Sequence, residues 1–329
     1  MTSRDPRPLP LTALAALPRG LRTRFAPAPT GDLHLGHLVN AVLVWGIARA
    51  TGGSVILRIE DHDRQRSRRP WDAALRADLG RLGLIPDEPD VDAWERPGCA
   101  WRQSDHPERY ADALVPLRER GLVYACDCSR ADVAAWEAAA GHPWQGPGCP
   151  GGCAARGLPE EPGRTLRLAL GEGVEGWEDL ALGSQAGPPA AHGDLPVRDR
   201  AGNWTYAWSV VVDDLHDRIG LVIRGEDLRD ATPAQLRVAR LLAGGHPARF
   251  LHHPLVRRPD GRKLSKADGA TAVRDLLAAG ASVEGLLADA ARAAGLPGVP
   301  DRLPATALGD LVAAAIGAAL VGGRAGEGR

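Results

Sequence analysis

The stretch Arg24-Phe25-Ala26-Pro27-Ala28-Pro29-Thr30-Gly31-Asp32-Leu33-His34-Leu35-Gly36-His37 decides the fold. Leu21 to Phe25 reads as a short strand, and the Pro-rich turn ends it. A helix then runs from about Gly36 to Ala50, with Leu38, Val42, Trp45 and Ala48 as its apolar positions. A strand that gives way to a helix mouth is where an open α/β sheet binds anions, because backbone N–H groups and the helix dipole face the ligand. His34 and His37 stand three apart in the opening turn, so both imidazoles can point to one side. There they can hydrogen-bond phosphate oxygens as negative charge shifts. Gly36 between them admits a planar ring close to the backbone. The string His-Leu-Gly-His alone fits incidental surface histidines equally well; the preceding Pro-x-Pro-Thr-Gly turn weights it toward a ligand site.

Outward from that motif, Ser54 to Ile59 is a near-continuous apolar run, as expected of a strand buried on both faces. Helices are expected over about Pro70–Leu82 and Pro107–Arg120. This succession predicts an α/β fold with a parallel sheet and crossover helices. From Tyr124 to about Pro162, Gly and Pro become dense and paired cysteines appear, which marks a separate insertion. Regular runs resume at Thr165–Leu170, Tyr206–Val212 and Gly220–Arg224. A helix over Pro233–Leu242, a loop from His253 to Gly269 and helical stretches near Thr271–Ala279 and Val283–Ala294 follow. The expected organisation is a loose tail over 1–20, a first catalytic half over 21–123, an insertion over 124–162, a second half over 163–269 and a short helical region over 270–329. The Gly/Arg-rich end from Gly322 also reads as loose.

The 329 residues carry 40 basic and 41 acidic side chains, a formal net charge of −1. No overall basic field attracts nucleic acid, so any such contact needs a local patch. Arg64, Arg66, Arg68 and Arg69 offer one, with a solvated loop as the equal alternative. Leu9–Leu17 is short and interrupted by Pro10, unlike a secretory signal. Ala305–Val321 contains Asp310 and Gly317 and falls short of the ~20 apolar residues of a span, so a packed terminal helix is expected. These features imply a cytoplasmic chain without a membrane segment, expected as a monomer. Cys126-x-Cys128 and Cys149-x3-Cys153 form two close pairs, while Cys99 stands alone. In a reducing compartment such pairs suit metal rather than secreted disulfides. Four sulfurs match one structural Zn2+ with no open position; disulfides or idle thiols are the alternatives. Farther on, Asp260-Gly261-Arg262-Lys263-Leu264-Ser265-Lys266 is a polar turn whose ammonium groups suit the charge on a leaving phosphate group.

The HLGH and KLSK strings resemble the paired signatures of class I aminoacyl-tRNA synthetases. More narrowly, RFAPAPTGDLHLGH, RIEDHD (Arg58 to Asp63), VVVDD (Val210 to Asp214), IRGEDL (Ile223 to Leu228) and DGRKLSK resemble the glutamyl branch, in order from residue 22 to about 270. The resemblance implies a Rossmann-like catalytic domain in which His34, His37 and Lys266 stabilise ATP phosphates during adenylation. Gly36, Lys263 and Ser265 would complete the ATP site. Its amino-acid pocket maps onto Arg24, Phe25, Ala26, Pro27, Ala28, Glu60, Tyr206 and Arg224. Guanidinium groups suit the two carboxylates of L-glutamate, and Glu60 suits its ammonium. Leu264 stands where many relatives have Met, and Ala267 where many have Ser; neither change removes a charge. The acidic strings around Asp61–Asp63 and Asp213–Asp214 read as structural or loop-positioning groups.

Short glutamyl relatives carry a zinc knob at the cysteine insertion, some with Tyr where this chain has Cys149. In the family that insertion contacts the tRNA acceptor end. Trp136, Trp144, His142, Arg130 and Arg156 would allow stacking and phosphate contacts and would equally suit a small packed fold. Only 63 residues follow Lys266, too few for a helical domain that reads an anticodon. The chain therefore resembles the compact glutamyl-Q tRNA(Asp) synthetase family. That family activates glutamate with ATP and Mg2+ without tRNA, then esterifies it to the cyclopentenediol ring of queuosine in tRNA(Asp). Two alternatives are a truncated glutamyl-tRNA synthetase charging a tRNA 3′ end and a non-catalytic paralogue binding RNA. The latter would have eroded motifs, and here they are intact.

Overall fold

Strand β1 (Arg22–Phe25), helix α2 (Leu35–Thr51) and strand β2 (Ser54–Leu57) form the first crossover unit. β1 and β2 run parallel, with Arg22 opposite Ser54 and Phe25 opposite Leu57. The computed structural model describes residues 8–90, 93, 96, 98–141, 146, 148–150, 152–246, 248–256 and 271–326. The main sheet has the order β2-β1-β8-β9-β5-β6, with β5 (Glu175–Asp179), β6 (Gly183–Gly187), β8 (Leu221–Gly225) and β9 (Arg249–His253). Every neighbouring pair is parallel except the β5–β6 hairpin. The chain leaves β1 toward β2 on one side, while β8 leads through helix α7 (Thr232–Ala243) to β9 on the other. The crevice at the strand ends between β1 and β8 is thus the switch point where open α/β sheets bind ligands.

Helix α2 is apolar nearly all round, and Leu38, Val39, Val42, Leu43, Val44, Trp45 and Ile47 are all buried. The sequence suggested a single stripe. Instead, helices α9 (Val283–Ala293) and α10 (Leu308–Gly326) cover the face turned away from the sheet, so both faces are dry. The α2–α10 contact depends on small residues. A Cβ on Gly46 would lie 2.9 Å from Val312 Cγ2, and one on Gly309 would lie 2.6 Å from Arg49 Cβ. The helix that carries the two histidines is therefore packed closely between the sheet and α10.

A second, antiparallel sheet joins β3 (Val123–Cys126), β4 (Thr165–Leu168) and β7 (Leu195–Arg198) in the order β3-β4-β7. Because β3 and β4 pair from Val123↔Leu168 to Cys126↔Thr165, this sheet takes strands from both sides of residue 162. Helices α4 (Pro107–Glu119) and α6 (Tyr206–His216) pack over it through Tyr110, Leu114, Trp208 and Val211. The run Tyr206–Val212 is thus helical and continues to His216, despite three successive valines, because it buries them and Asp213–Asp214 against its neighbours.

Two expected tails are corrected. Residues 8–20 contain helix α1 (Leu11–Ala15), and Leu9, Leu14 and Leu17 are buried in the main core, where α1 packs on α10. Three leucines on one side of a short segment supply enough apolar surface to dock it. The end from Gly322 continues α10 as far as Gly326. Among the described residues no helix is long and apolar enough to cross a membrane. The arginine-rich loop is organised by its own acid: Asp63 accepts Arg66 Nε at 2.6 Å and the Gln65 N–H at 3.0 Å, and Arg64 reaches the Ser104 carbonyl at 2.8 Å.

Candidate active site

A cavity of about 740 Å³ opens at the C-terminal ends of β1, β8 and β9. Arg24, Phe25, Ala26, Pro27 and Ala28 enter it from β1 and the following turn. His34, Gly36 and His37 enter from the start of α2, Glu60 from beyond β2, Tyr206 from the start of α6 and Arg224 from β8. Every described residue that the sequence assigned to an anion or amino-acid site lines this one space. Lys263, Ser265 and Lys266 fall in 257–270, outside the described residues. The residues flanking that segment sit at the cleft: Val256 lines it, Ala272 bridges to His34, and the Val273 N–H donates to the Leu33 carbonyl at 2.8 Å.

At the helix mouth both imidazoles act as caps. His34 is the N-cap of α2, and its Nδ1 accepts the Gly36 N–H at 3.1 Å; His37 Nδ1 accepts the His34 N–H at 3.1 Å. Two backbone donors that a helix start leaves open are satisfied in this way. An Nδ1 that accepts must be unprotonated, so each neutral ring carries its proton on Nε2. The rings stack with centroids 3.9 Å apart. A Cβ on Gly36 would press to 3.0 Å from His34 Cε1, so the glycine lets that ring lie across the first turn. One turn on, Asn40 Nδ2 donates to the Ile223 carbonyl at 3.1 Å and meets His253 Nε2 at 3.2 Å, tying α2 to β8 and β9.

Two buried arginines, Arg24 and Arg224, line the cleft and a third, Arg58, lies behind it; their counter-charges differ. Arg58, 1% exposed, meets Asp214 at 2.8 Å, Asp217 at 3.3 Å, Glu60 at 3.4 Å and Asp213 at 3.9 Å. Burial works against its charge, but Asp214, Asp213, Glu60 and Asp217 together raise its pKa. Arg24, 4% exposed, gives its Nε to the same Asp214 at 3.1 Å. Burial likewise opposes the Asp214 carboxylate, yet Arg24 and Arg58 win and hold it at about 2. Arg224, 6% exposed, has neutral partners: Nε donates to His252 Nε2 at 3.0 Å, Nη1 to Gln235 Oε1 at 2.7 Å and Nη2 to Thr232 Oγ1 at 2.8 Å. The Tyr206 hydroxyl also lies within hydrogen-bond reach of it, and burial pulls the pKa of Arg224 down. Burial raises the Glu60 pKa, with Arg58 pulling the other way. Such a cleft suits a ligand bearing an ammonium and a carboxylate beyond it, next to an anion site at the helix mouth.

The structure also assigns the acidic strings. Asp61 accepts the Ser104 N–H and hydroxyl at 2.8 and 2.6 Å, and Asp213 accepts Arg109, Tyr110 and Gln103. Sequence reading missed Asn40, the link from Asp214 to Arg24, and the His252–Gln235–Thr232 shell of Arg224. Asn40 carried a usable signal, three residues beyond His37 on the same helix face.

The four paired cysteines converge. Their sulfurs all lie within 4.8 Å of one another, with Cys128 at 3.2 Å from Cys153 and 3.3 Å from Cys149. These gaps far exceed a bonded S–S of ~2.05 Å and lie near the edge of about 3.8 Å implied by four ~2.3 Å zinc–sulfur bonds. Burial opposes the Cys126 thiolate, but hydrogen bonding from Arg167 brings its pKa down. Arg156 pairs with Asp127 at 2.6 Å and reaches Cys153 Sγ at 3.7 Å, while Arg200 donates to the Cys128 carbonyl at 2.6 Å. The cluster could hold a metal ion, with cationic groups offsetting its thiolate charge. Cys99 is buried elsewhere. Trp136 and Arg130 lie on α5 (Arg130–Ala140), which buries no side chain; His142 and Trp144 are outside the described residues.

Residues 20–286 match the family described as tRNA synthetases class I (E and Q), catalytic domain. A protein named glutamyl-Q tRNA(Asp) synthetase from Symbiobacterium thermophilum is 43% identical over 288 residues, covering 84% of this chain and 88% of that one. One of the same name from Rhodobacter capsulatus is 38% identical over 283 residues, covering 79% and 96%. Among solved structures, glutamate-tRNA synthetase from Elizabethkingia anophelis superposes with a TM-score of 0.72 at 22% identity, covering 90% of this chain and 65% of that one. A glutamate tRNA ligase from Elizabethkingia meningosepticum, solved with its amino acid, gives 0.71 at 22%, covering 90% and 64%. This chain thus spans under two thirds of the length of either, and that likeness speaks to the fold alone.

The ion cluster makes a pH prediction. A carboxylate held below its ordinary pKa adds stability that is complete above that value and fades as pH falls through the lowered one. Stability measured by urea unfolding should therefore drop as pH falls from about 4 toward 2. Asp214→Asn should lower stability at pH 7 by about 3–5 kcal/mol and flatten that drop. An Asn variant as stable as the parent would remove Asp214 from the account.

Proposed function

The chain belongs to the class I (E and Q) tRNA synthetases, a ligase family, and from that premise we propose that it activates L-glutamate with ATP and passes it to the queuosine of tRNA(Asp). Arg224 carries this reading: a buried cation with neutral hydrogen-bond partners, in one cavity with Glu60 and the α2 mouth. The α-carboxylate must stay free to react, so a dedicated guanidinium belongs to the side-chain carboxylate. Arg224 takes that role, because Arg24 already shares the charge of Asp214. Glu60 receives the ammonium, and Arg24, Tyr206 and the Phe25–Ala28 turn shape the slot.

In the first step a glutamate α-carboxylate oxygen attacks the α-phosphorus of ATP. The bond to the oxygen bridging toward the β-phosphorus breaks, and pyrophosphate leaves. The Nε2–H groups of His34 and His37 donate to phosphate oxygens as charge builds, and Gly36 keeps the His34 ring in place. Lys263, Ser265 and Lys266 accompany the leaving pyrophosphate, consistent with a segment whose flanks Val256 and Ala272 meet the cleft. Mg2+ would accompany ATP and offset phosphate charge. In the second step a ring hydroxyl of queuosine attacks the carbonyl carbon of the mixed anhydride, AMP leaves, and the hydroxyl proton is released. The names of the relatives support this acceptor. The catalytic halves would flank the cysteine-bearing insertion.

Glutamate-dependent ATP–pyrophosphate exchange without tRNA is the expected activity. Lys266→Ala should lower its turnover by ~10²-fold or more while leaving the KM for glutamate within about threefold. Equal losses in both would count against a transition-state role. With labelled glutamate and tRNA(Asp), nuclease digestion should place the label on the anticodon fragment, and only when queuosine is present. Label on the terminal adenosine would mean charging of the 3′ end.

Cys126, Cys128, Cys149 and Cys153 would hold one Zn2+, which when bound supplies a structural cross-link. Elemental analysis should find about one zinc per chain, and chelation should lower the thermal midpoint and expose the thiols to alkylation. Carefully prepared protein without metal and with freely alkylated cysteines would contradict this.

A further inference from the structure

Three adjacent parallel strands bring Arg224, His252 and Asp179 together, Asp179 standing opposite Phe250 and reaching His252 two residues farther along β9. Arg224 on β8 stands directly opposite His252 on β9. Asp179 closes β5, which pairs with β9. The bonds linking the three have a fixed sense. Asp179 Oδ1 accepts the N–H groups of Ala181 and Leu182 at 3.0 and 3.1 Å, so the carboxylate cannot turn. Its Oδ2 lies 2.5 Å from His252 Nδ1. A carboxylate only accepts, so Nδ1 carries the ring proton and Nε2 is left as an acceptor. That acceptor takes the Arg224 Nε–H at 3.0 Å. His252 is fully buried, and burial lowers its pKa against the pull of Asp179, which keeps the ring neutral.

We infer that His252, locked in one tautomer by Asp179, is a positioning residue that orients Arg224 without neutralising it and thereby sets carboxylate-over-amide selectivity. This rests on the cleft being the glutamate pocket. A carboxylate at position 252 would hold the guanidinium equally well but would cancel its charge, as Asp214 does in part for Arg24. The ligand would then have to displace an internal ion pair, and a side-chain amide would be tolerated. A neutral acceptor fixes the fork and leaves its charge for the ligand. Asp179 does not line the cavity; it reaches Arg224 through His252, whose ring Nδ1 and backbone N–H it holds.

Asp179→Asn is the decisive variant. The backbone N–H groups of Ala181 and Leu182 still require an oxygen, so the new amide NH2 takes the place of Oδ2 and donates to His252 Nδ1. The ring proton moves to Nε2 and confronts the Arg224 Nε–H. The test is ATP–pyrophosphate exchange with glutamate and glutamine, run on the wild type, Asp179→Asn, His252→Phe, His252→Gln and the double variant Asp179→Asn/His252→Phe. Asp179→Asn and His252→Phe should each raise the KM for glutamate by ~10–100-fold and erode preference over glutamine, with the KM for ATP nearly unchanged. His252→Gln, whose Oε1 can replace the Nε2 acceptor, should recover most of the loss. The double variant should be no worse than His252→Phe alone, because Asp179 has no other route to the ligand.

Nitrogen NMR of the histidine rings gives a readout independent of activity. His252 should be protonated at Nδ1 in the wild type and at Nε2 in Asp179→Asn. The inference is overturned if KM for glutamate and the preference over glutamine stay within about twofold in folded variants, if KM rises equally for glutamate and ATP, or if the wild-type ring is protonated at Nε2. A wild type that performs no exchange would instead overturn the glutamate reading of the cleft.

Discussion

Beneath the cleft one buried carboxylate, Asp214, is shared by two guanidinium groups, and the charge of the whole site follows from that sharing. Asp214 sits on α6 and binds Arg24 on β1 and Arg58 just beyond β2. It thereby joins the two strands of the first crossover to the helix that also delivers Tyr206 to the cavity. Removing one member would strand a charge out of water, which is far more damaging than losing a surface pair. The sharing also sorts the arginines. Arg58 is compensated by four acids and serves the scaffold, Arg24 is compensated in part, and Arg224 is held by neutral groups. A ligand carboxylate is the natural counter-charge for the last of these.

The sheet determines where this chemistry takes place. Parallel strands end on the same side, and the reversal of order between β1 and β8 opens a crevice there. Helix α2 drops its N-terminus into that crevice, and its burial between the sheet and α9–α10 fixes the height of His34 and His37. The proposed anion site and amino-acid slot are thus placed side by side in one cavity by the sheet and α2. A preorganised constellation of this kind stabilises developing charge without having to rearrange.

How much of this was legible depends on how local each signal is. The start of α2 was readable because strand, turn, histidines and helix lie within fifteen residues or so, and the structure gathers all of them. The cysteine pairs were readable as a cluster, whereas Arg167 and Arg200 come from outside the insertion with no pattern to announce them, and Arg156, three residues past Cys153, read as a phosphate contact and instead pairs with Asp127. Arg24 and Arg224 were identified through family motifs, but their difference in charge compensation was not visible. It arises from the registry of β8, β9 and β5 and from α6 packing, which are long-range facts. The same holds for residues 8–20, where three leucines looked like a frayed end until α10 supplied a surface for them. Tyr206–Val212 read only as a regular run of unassigned type; it is helical because burial of its valines outweighs their local preference for strand.

The central claim is that a glutamyl group lies between Arg224 and the histidine mouth. A crystal structure with a hydrolysis-resistant glutamyl-adenylate analogue tests it most directly. The account predicts the side-chain carboxylate on Arg224, the ammonium on Glu60 and the phosphate mimic beside His34 and His37. An analogue bound with its side chain turned away from Arg224, or seated outside the 740 Å³ cavity, would contradict it.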